Sequence, residues 1–481
     1  MNDDSKLPIL VLLTSHWVSM LGVALVTTAG FSWLFVLPIQ LRGHTSNPYI
    51  GIVVFLAIPV VFIFGLVLIA LGVFLARRRV VSAEQALLAT SDRRTVLRKL
   101  AIFFAATTAI NIVIGTQGTY RAVEHMETPQ FCGQSCHVMK PEFVAHQNSP
   151  HARVECVDCH VSPGAVGWVK SKEGGMRQLR DVVFHRVRYP IESAMESNRL
   201  VPSQGTCEQC HWPQKFDSVK LRVIFHFQDD EANTQTQTVL MMLTGGGDLG
   251  GIHGKHLGRG VEIRYAAADP KRQTIPLVEY RNQTTGEIRT FLADGSTAQS
   301  VANLPRYQMQ CVDCHNRPTH AFELPERAVD EAMGLGTISP TLPFVKKKAV
   351  ELLMAKYSSN AEASRLIPAT LARFYEQTYP VISSQRARDV SSAGAEIAAI
   401  YNRNVFPDLK VTWGTYPNNL GHTDFPGCFR CHDGSHSTAD KKMAIPQDCN
   451  TCHEPLAIEE ANPGVVRTLG LAEHIAKLQK H

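Results

Sequence analysis

The sequence predicts a mainly α, membrane-anchored fold. Three transmembrane helices lead into an outer region with little regular structure, a small β insertion and a helical C-terminal part. Three observations carry this. No charged residue occurs in 7–41, 43–76 or 100–120. All 12 cysteines lie beyond those stretches, in six close pairs. Between the third and fourth pairs, a cysteine-free stretch is rich in β-formers and turn residues.

The uncharged stretches contain apolar runs at about 9–39, 50–76 and 100–114. The first two exceed the roughly 20 residues that cross a bilayer, and the third reaches that length with its polar end, which includes Asn111. The first run is also too long for the core of a cleaved signal peptide, so it reads as a retained anchor. Between the second and third runs lie Arg77, Arg78, Arg79, Arg93, Arg94, Arg98 and Lys99, against only Glu84 and Asp92. The first connection has a single Arg42. Basic loops stay in the cytoplasm. The N-terminus is then cytoplasmic as well, and everything after about residue 120 lies outside the cytoplasmic (inner) membrane, in the periplasm. Residues 1–120 therefore form the anchor. His16 sits inside the first run, where a helix-packing or interfacial role is the simpler reading.

Every cysteine pair is followed directly by histidine: Cys132/Cys136-His137, Cys156/Cys159-His160, Cys207/Cys210-His211, Cys311/Cys314-His315, Cys428/Cys431-His432 and Cys449/Cys452-His453. Five are Cys-x-x-Cys-His, the attachment signature of c-type haem, and the first has one extra residue. The two thiols form thioethers to the porphyrin, and the next imidazole falls beneath the iron as an axial ligand. Zinc sites and disulfides also use paired cysteines, but neither needs the histidine. The cofactors expected are six covalently bound haem c groups, packed so closely that they supply much of the buried surface.

Residues 121–215 hold three motifs among short polar spacers. Residues 216–306 contain β-rich segments at 221–227, 261–265, 274–280 and 287–292, separated by the turn-like GGGDLGG, DPK and NQTTGE. Residues 307–481 hold the last three motifs. Within them 324–402 has helical periodicity, and a short helix starts near Gly464.

Filling both axial positions of a haem makes it a relay, whereas an open position binds substrate. The outer region has 12 histidines beyond the six in the motifs. Candidates for the second axial position are His151, His185, His320, His422 and His436, most of them beside a motif. His226, His253 and His256, in the β insertion, read equally well as ordinary imidazoles. His474 and His481 read as exposed tail residues.

The stretch HMETPQFCGQSCHVMKPEFVAHQNSPHARVECVDCHVSP resembles the NapC/NirT family of membrane-anchored quinol dehydrogenases, and the likeness runs to about His211. In that family a membrane helix leads straight to a first haem beside the quinol site. A methionine two residues after the first motif's histidine ligates the iron in some members. Met139 matches it here, so Met139 and His137 compete as ligand of the first haem. The family's quinol-site lysine and aspartate correspond to Lys172, with Lys170 as the alternative, and Asp181. A carboxylate there accepts protons released from the quinol. Typical members have one membrane helix and four haems. The longer layout here is similar to inner-membrane multihaem cytochromes of metal-reducing bacteria.

The resemblance implies oxidation of membrane quinol or menaquinol and delivery of electrons to a periplasmic acceptor, such as a soluble cytochrome or reductase, in anaerobic or extracellular respiration. Alternatives are a terminal reductase of a nitrogen or sulfur oxyanion and a passive relay subunit of a larger respiratory complex. The net charge of +5 gives no reason to expect nucleic acid. No GxGxxG, P-loop or Ser-His-Asp arrangement is present.

Overall fold

The computed structural model describes residues 16–41, 57–80, 93–117, 120–121, 128–135, 137–162, 165–197, 200–212, 216, 219–246 and 250–471. The chain divides into two compact units, Met1–Ser135 with Glu155–Val187, and Cys136–Val154 with Arg188–His481.

The first unit is built on apolar helices. Helix α1 (Trp17–Leu41) begins at His16, whose Nδ1 accepts the otherwise unpaired Val18 N–H at 3.2 Å. Helix α2 (Ile58–Val80) packs on it through glycines. A Cβ added at Gly22 would lie 2.6 Å from the Gly65 carbonyl oxygen, and one at Gly65 would lie 2.9 Å from Val26 Cγ2. Without side chains at these positions the backbones approach directly, which is how apolar helices gain contact when no hydrophobic force drives them together. Helix α3 (Arg93–Ile110) widens into a π-turn, Asn111–Gly115. The buried Asn111 donates to Thr27 Oγ1 at 3.1 Å and accepts from the Thr28 hydroxyl. The polar residue that interrupts the third apolar run is thus one that ties it to α1.

Among the described residues, Ile58–Leu75 is the one stretch long and apolar enough to cross a membrane by length and composition; Trp17–Ser32 and Ala101–Val113 are shorter apolar stretches. Helix α3 falls short because its first turns carry Arg93, Arg94, Arg98 and Lys99. The short helix α4 (Lys140–Gln147) belongs to the second unit, while α5 (Cys156–His160) and α6 (Ala165–Val183) return to the first.

In the second unit, β1 (Lys220–Phe227) and β2 (Gln235–Met242) form an antiparallel hairpin. Helix α7 (Gly251–Leu257) follows. A four-stranded antiparallel sheet, in the order β5-β4-β3-β6, then contains β3 (Val261–Ala266), β4 (Leu277–Asn282), β5 (Glu287–Leu292) and β6 (Arg306–Gln308). One turn of helix, α8 (Cys311–Cys314), leads to a helical layer of α9 (Pro325–Gly334), α10 (Val345–Met354), α11 (Asn360–Thr378), α12 (Pro380–Gln385) and α13 (Ala387–Asn404).

That layer is an ordinary side-chain core and contains no cysteine motif. Ala363, Ile367, Leu371 and Tyr375 recur every four residues on α11, and Val390, Ala393, Ile397 and Tyr401 line α13; all are buried. Ser359 caps α11 by accepting the Glu362 N–H at 3.2 Å.

Strand β7 (His453–Glu460) pairs with β2, giving a sheet ordered β1-β2-β7, and α14 (Gly464–Thr468) ends the described chain. The β-rich segment is therefore joined to the far end of the chain, a pairing that local sequence spacing could not reveal. The four expected β segments are strands or overlap strands; β2, β6 and β7 are additional. His474 and His481 lie outside the described residues.

Candidate functional site

The spacing of the motifs is explained by one turn of helix. Residues i and i+4 share a helical face, so the first cysteine and the histidine point the same way. The histidine N–H closes onto the first cysteine's carbonyl at 2.8 Å for His211 and His315 and at 3.0 Å for His432. In α5 and α8 the central aspartate starts the turn: Asp158 Oδ2 accepts from Glu155 N at 3.3 Å, and Asp313 Oδ2 from Gln310 N at 2.7 Å. No described cysteine is in a disulfide, and no cluster of three or more His, Cys, Asp or Glu side chains among the described residues could hold a metal ion. Cys136 and the side chain of His137 lie outside the described residues.

The attachment cysteines are not alike in burial. Cys159 and Cys210, the second thiols of the second and third motifs, are exposed, and so is Cys449, the first thiol of the sixth. The histidines that follow the first two, His160 and His211, are exposed with them. By contrast, Cys314 and Cys431 are half-buried. The turn itself allows the difference. Adjacent residues stand about 100° apart around a helix, so the second cysteine leaves the direction taken by the histidine. Whether that direction is covered then depends on what packs over the turn. Cys314 and Cys431 lie beside the buried Asp313 and Arg430, whereas Cys159 and Cys210 sit in short polar stretches of the sequence.

Four motif histidines each face a second histidine. The ring centres are 5.9 Å apart for His211 and His151, 6.3 Å for His315 and His253, 5.8 Å for His432 and His256, and 6.1 Å for His453 and His422. Two imidazoles on opposite sides of one metal, with bonds near 2 Å, have ring centres about 6 Å apart. The pairs are therefore spaced as two imidazoles on one iron would be.

Hydrogen bonds also favour this chemistry. Nδ1 bonds a backbone carbonyl in His253 (Thr244, 3.1 Å), His256 (Ile252, 2.7 Å) and His432 (Pro446, 2.7 Å). An Nδ1–H held in this way leaves the Nε2 lone pair for a metal. Burial, reinforced by neighbouring histidines, pushes the pKa values of His256, His315 and His453 below the ordinary histidine value. Neutral imidazole, the ligating form, is thereby favoured.

Neighbouring motifs also come close: Cys132 lies beside Cys156 in the first unit, and Cys207 beside Cys311 in the second.

The other sequence candidates are placed differently. His436 has both ring nitrogens held by protein: Nε2 bonds the Ile275 carbonyl at 2.7 Å, and Nδ1 bonds Asp433 at 3.1 Å. The structure does not offer it to a motif histidine. His320 bonds the Glu142 carbonyl through Nδ1 at 2.9 Å and lies 6.4 Å from His146, which is not a motif histidine. His185 is exposed at the end of α6, with φ of 52°. Half-buried Met139 ends the 3-10 turn His137–Met139 in the second unit. Asp181, in the first unit, is bound by Arg180 at 3.0 Å, and the side chain of Lys172 is outside the described residues.

The sequence singled out His151 and His422, whereas His253 and His256 had no special claim in it. A signal was present: they lie three residues apart on the short helix α7, a spacing that puts both on one face.

Comparison with known proteins agrees with the cofactor chemistry. Residues 94–204 match the model of the NapC/NirT cytochrome c family, N-terminal region. The cytochrome c-type protein ImcH of Geobacter sulfurreducens is 39% identical over 456 residues, which span 92% of this chain and 89% of that protein. The cytochrome c nitrite reductase subunit NrfH of Nitratidesulfovibrio vulgaris is 27% identical over 116 residues, 24% of this chain and 70% of NrfH. The cytochrome c-type protein TorC of Escherichia coli is 28% identical over 134 residues, 24% of this chain and 34% of TorC. No solved structure matches the chain.

Proposed function

This chain belongs to the NapC/NirT family of membrane multihaem c-type cytochromes, and on that premise we propose that it oxidises membrane quinol and relays electrons through six haems to a periplasmic acceptor. Haem c supplies one-electron chemistry when bound, and the protein sets its order and environment. The observation that carries the reading is the four histidine pairs at 5.8 to 6.3 Å. Two protein ligands exclude substrate from a metal, so these positions suit relay rather than reduction of an oxyanion.

His151, His253, His256 and His422 are the second axial ligands in this reading, opposite His211, His315, His432 and His453. The exposed Cys159 and Cys210 keep their place as attachment residues, because a thioether needs the thiol within reach of the porphyrin edge rather than buried in protein. Quinol is oxidised beside the first motif, where Met139 or His137 ligates. Asp181 accepts a released proton while Lys172 orients a quinol oxygen. Three membrane spans hold this end of the chain, with the N-terminus and the basic loop in the cytoplasm. The 25-residue length of α1 and the hydrogen bonds joining Asn111 to Thr27 and Thr28 support a three-helix bundle.

The test is anaerobic reduction of the liposome-embedded protein by a menaquinol analogue, followed through the haem bands. Rapid reduction should be lost in Asp181→Asn and slowed in Met139→Leu, while dithionite still reduces both variants. Unchanged quinol oxidation in both would place the quinol site elsewhere. Reduction by dithionite but not by quinol, in the unsubstituted protein, would favour a relay subunit awaiting a partner.

A further inference from the structure

The fourth and fifth motifs share one buried polar cluster. Asp313, between Cys311 and Cys314, is 2% exposed. Its Oδ1 accepts from Arg272 Nη1 at 2.9 Å and from the Tyr265 hydroxyl. Arg430, between Cys428 and Cys431, is 8% exposed. Its guanidinium is spent on main-chain carbonyls: Nε donates to Gly427 at 2.8 Å, Nη1 to Arg272 at 2.9 Å and Nη2 to Asp313 at 2.6 Å. No carboxylate pairs with Arg430 among the described residues.

The charges can be counted. Arginine stays protonated in proteins. Arg272 is offset by Asp313, and burial keeps the Tyr265 phenol neutral. Among the side chains of this cluster one positive charge is left over, on Arg430. It lies close to Cys314 and Cys431, the last cysteines of the fourth and fifth motifs. A buried charge is weakly screened. Net charge and burial are among the factors that set haem potential, and positive charge favours the reduced iron.

We propose that Arg430 is a positioning and potential-setting residue: its buried charge, which no described protein carboxylate offsets and which is bound to the backbone of both motifs, raises the reduction potentials of the fourth and fifth haems. The inference rests on haem attachment at those two motifs.

The experiment uses the full chain in detergent, with haem content from protein mass and midpoint potentials from optical and paramagnetic-resonance titration. Arg430→Gln should keep six haems and lower two of the six potentials, while Arg430→Lys restores them toward wild type. Asp313→Asn removes the carboxylate that offsets Arg272 and should move the same two potentials upward, which tests the proposal even if Arg430→Gln folds poorly. Six retained haems with unmoved potentials, or an equal shift across all six, would overturn it. Wild-type mass lacking haem on either motif would sink the haem reading itself, a result distinct from unmoved potentials.

Discussion

The pentapeptide Cys-Val-Asp-Cys-His occurs twice, at 156–160 and 311–315, in opposite surroundings. Both copies open with the same device, an aspartate accepting the backbone N–H three residues earlier. In the first copy Asp158, Cys159 and His160 are all exposed. In the second, Asp313 is buried against Arg272 and Tyr265, and its backbone carbonyl accepts from Arg430 and Asn419. His315 lies 6.3 Å from His253, nearly parallel to it. Attachment chemistry is written locally, in five residues. The electrostatics around the attached group comes from segments 40 to 120 residues away in the chain, roughly the distance from Asp313 to Arg272 at one end and to Arg430 at the other.

The difference can be broken from the second copy outward. Asp313→Ala strands a buried guanidinium and a buried phenol, and breaking such a pair costs about 3–5 kcal/mol. Asp158→Ala loses one turn-starting bond, about 1 kcal/mol. Thermal denaturation of the two variants should therefore show the Asp313 protein melting far earlier; equal shifts would erase the contrast. His253→Ala should turn one haem high-spin in paramagnetic resonance and leave the signal of the 156–160 haem unchanged. An unaltered spectrum would remove His253 as a ligand. Tyr265→Phe deletes the phenol's bond to Asp313 and the one it accepts from Arg272 Nη1 at 3.2 Å, and should cost about 1–2 kcal/mol. It has no counterpart at Asp158, so a loss as small as that of Asp158→Ala would mean that the phenol does little to organise Arg272.

The same division between local and distant explains what the sequence disclosed. The motifs are set by spacing within one turn, and they are read directly. What covers them is not, so nothing in the two identical pentapeptides told exposed Cys159 from half-buried Cys314. Strands β1, β3 and β5 alternate or are rich in β-formers and were legible. Strand β2 (QTQTVLMM) opens with polar Gln and Thr, and β7 (HEPLAIEE) contains Pro455, so neither announces itself. Partner histidines were legible only in part. His151 precedes the second motif but faces His211 of the third, and His422 precedes the fifth but faces His453 of the sixth. The sequence left both histidines unassigned to any haem, because the motif histidine each one faces lies further along the chain than the nearest motif. His436 shows the converse: it lies four residues after His432, and a carbonyl and a carboxylate claim its ring nitrogens.

The pairing of β2 with β7 also bears on how the protein matures. A chain made from its N-terminal end presents β2 long before β7. Until then β2 has one paired edge and one bare edge, and bare edges invite mispairing. Strand β7 begins at His453 itself, the histidine of the sixth motif. The segment that closes the sheet therefore arrives only with the last Cys-x-x-Cys-His motif. Completion of the sheet thus waits on the whole set of motifs, and a chain cut short before residue 453 would be left with an open strand edge.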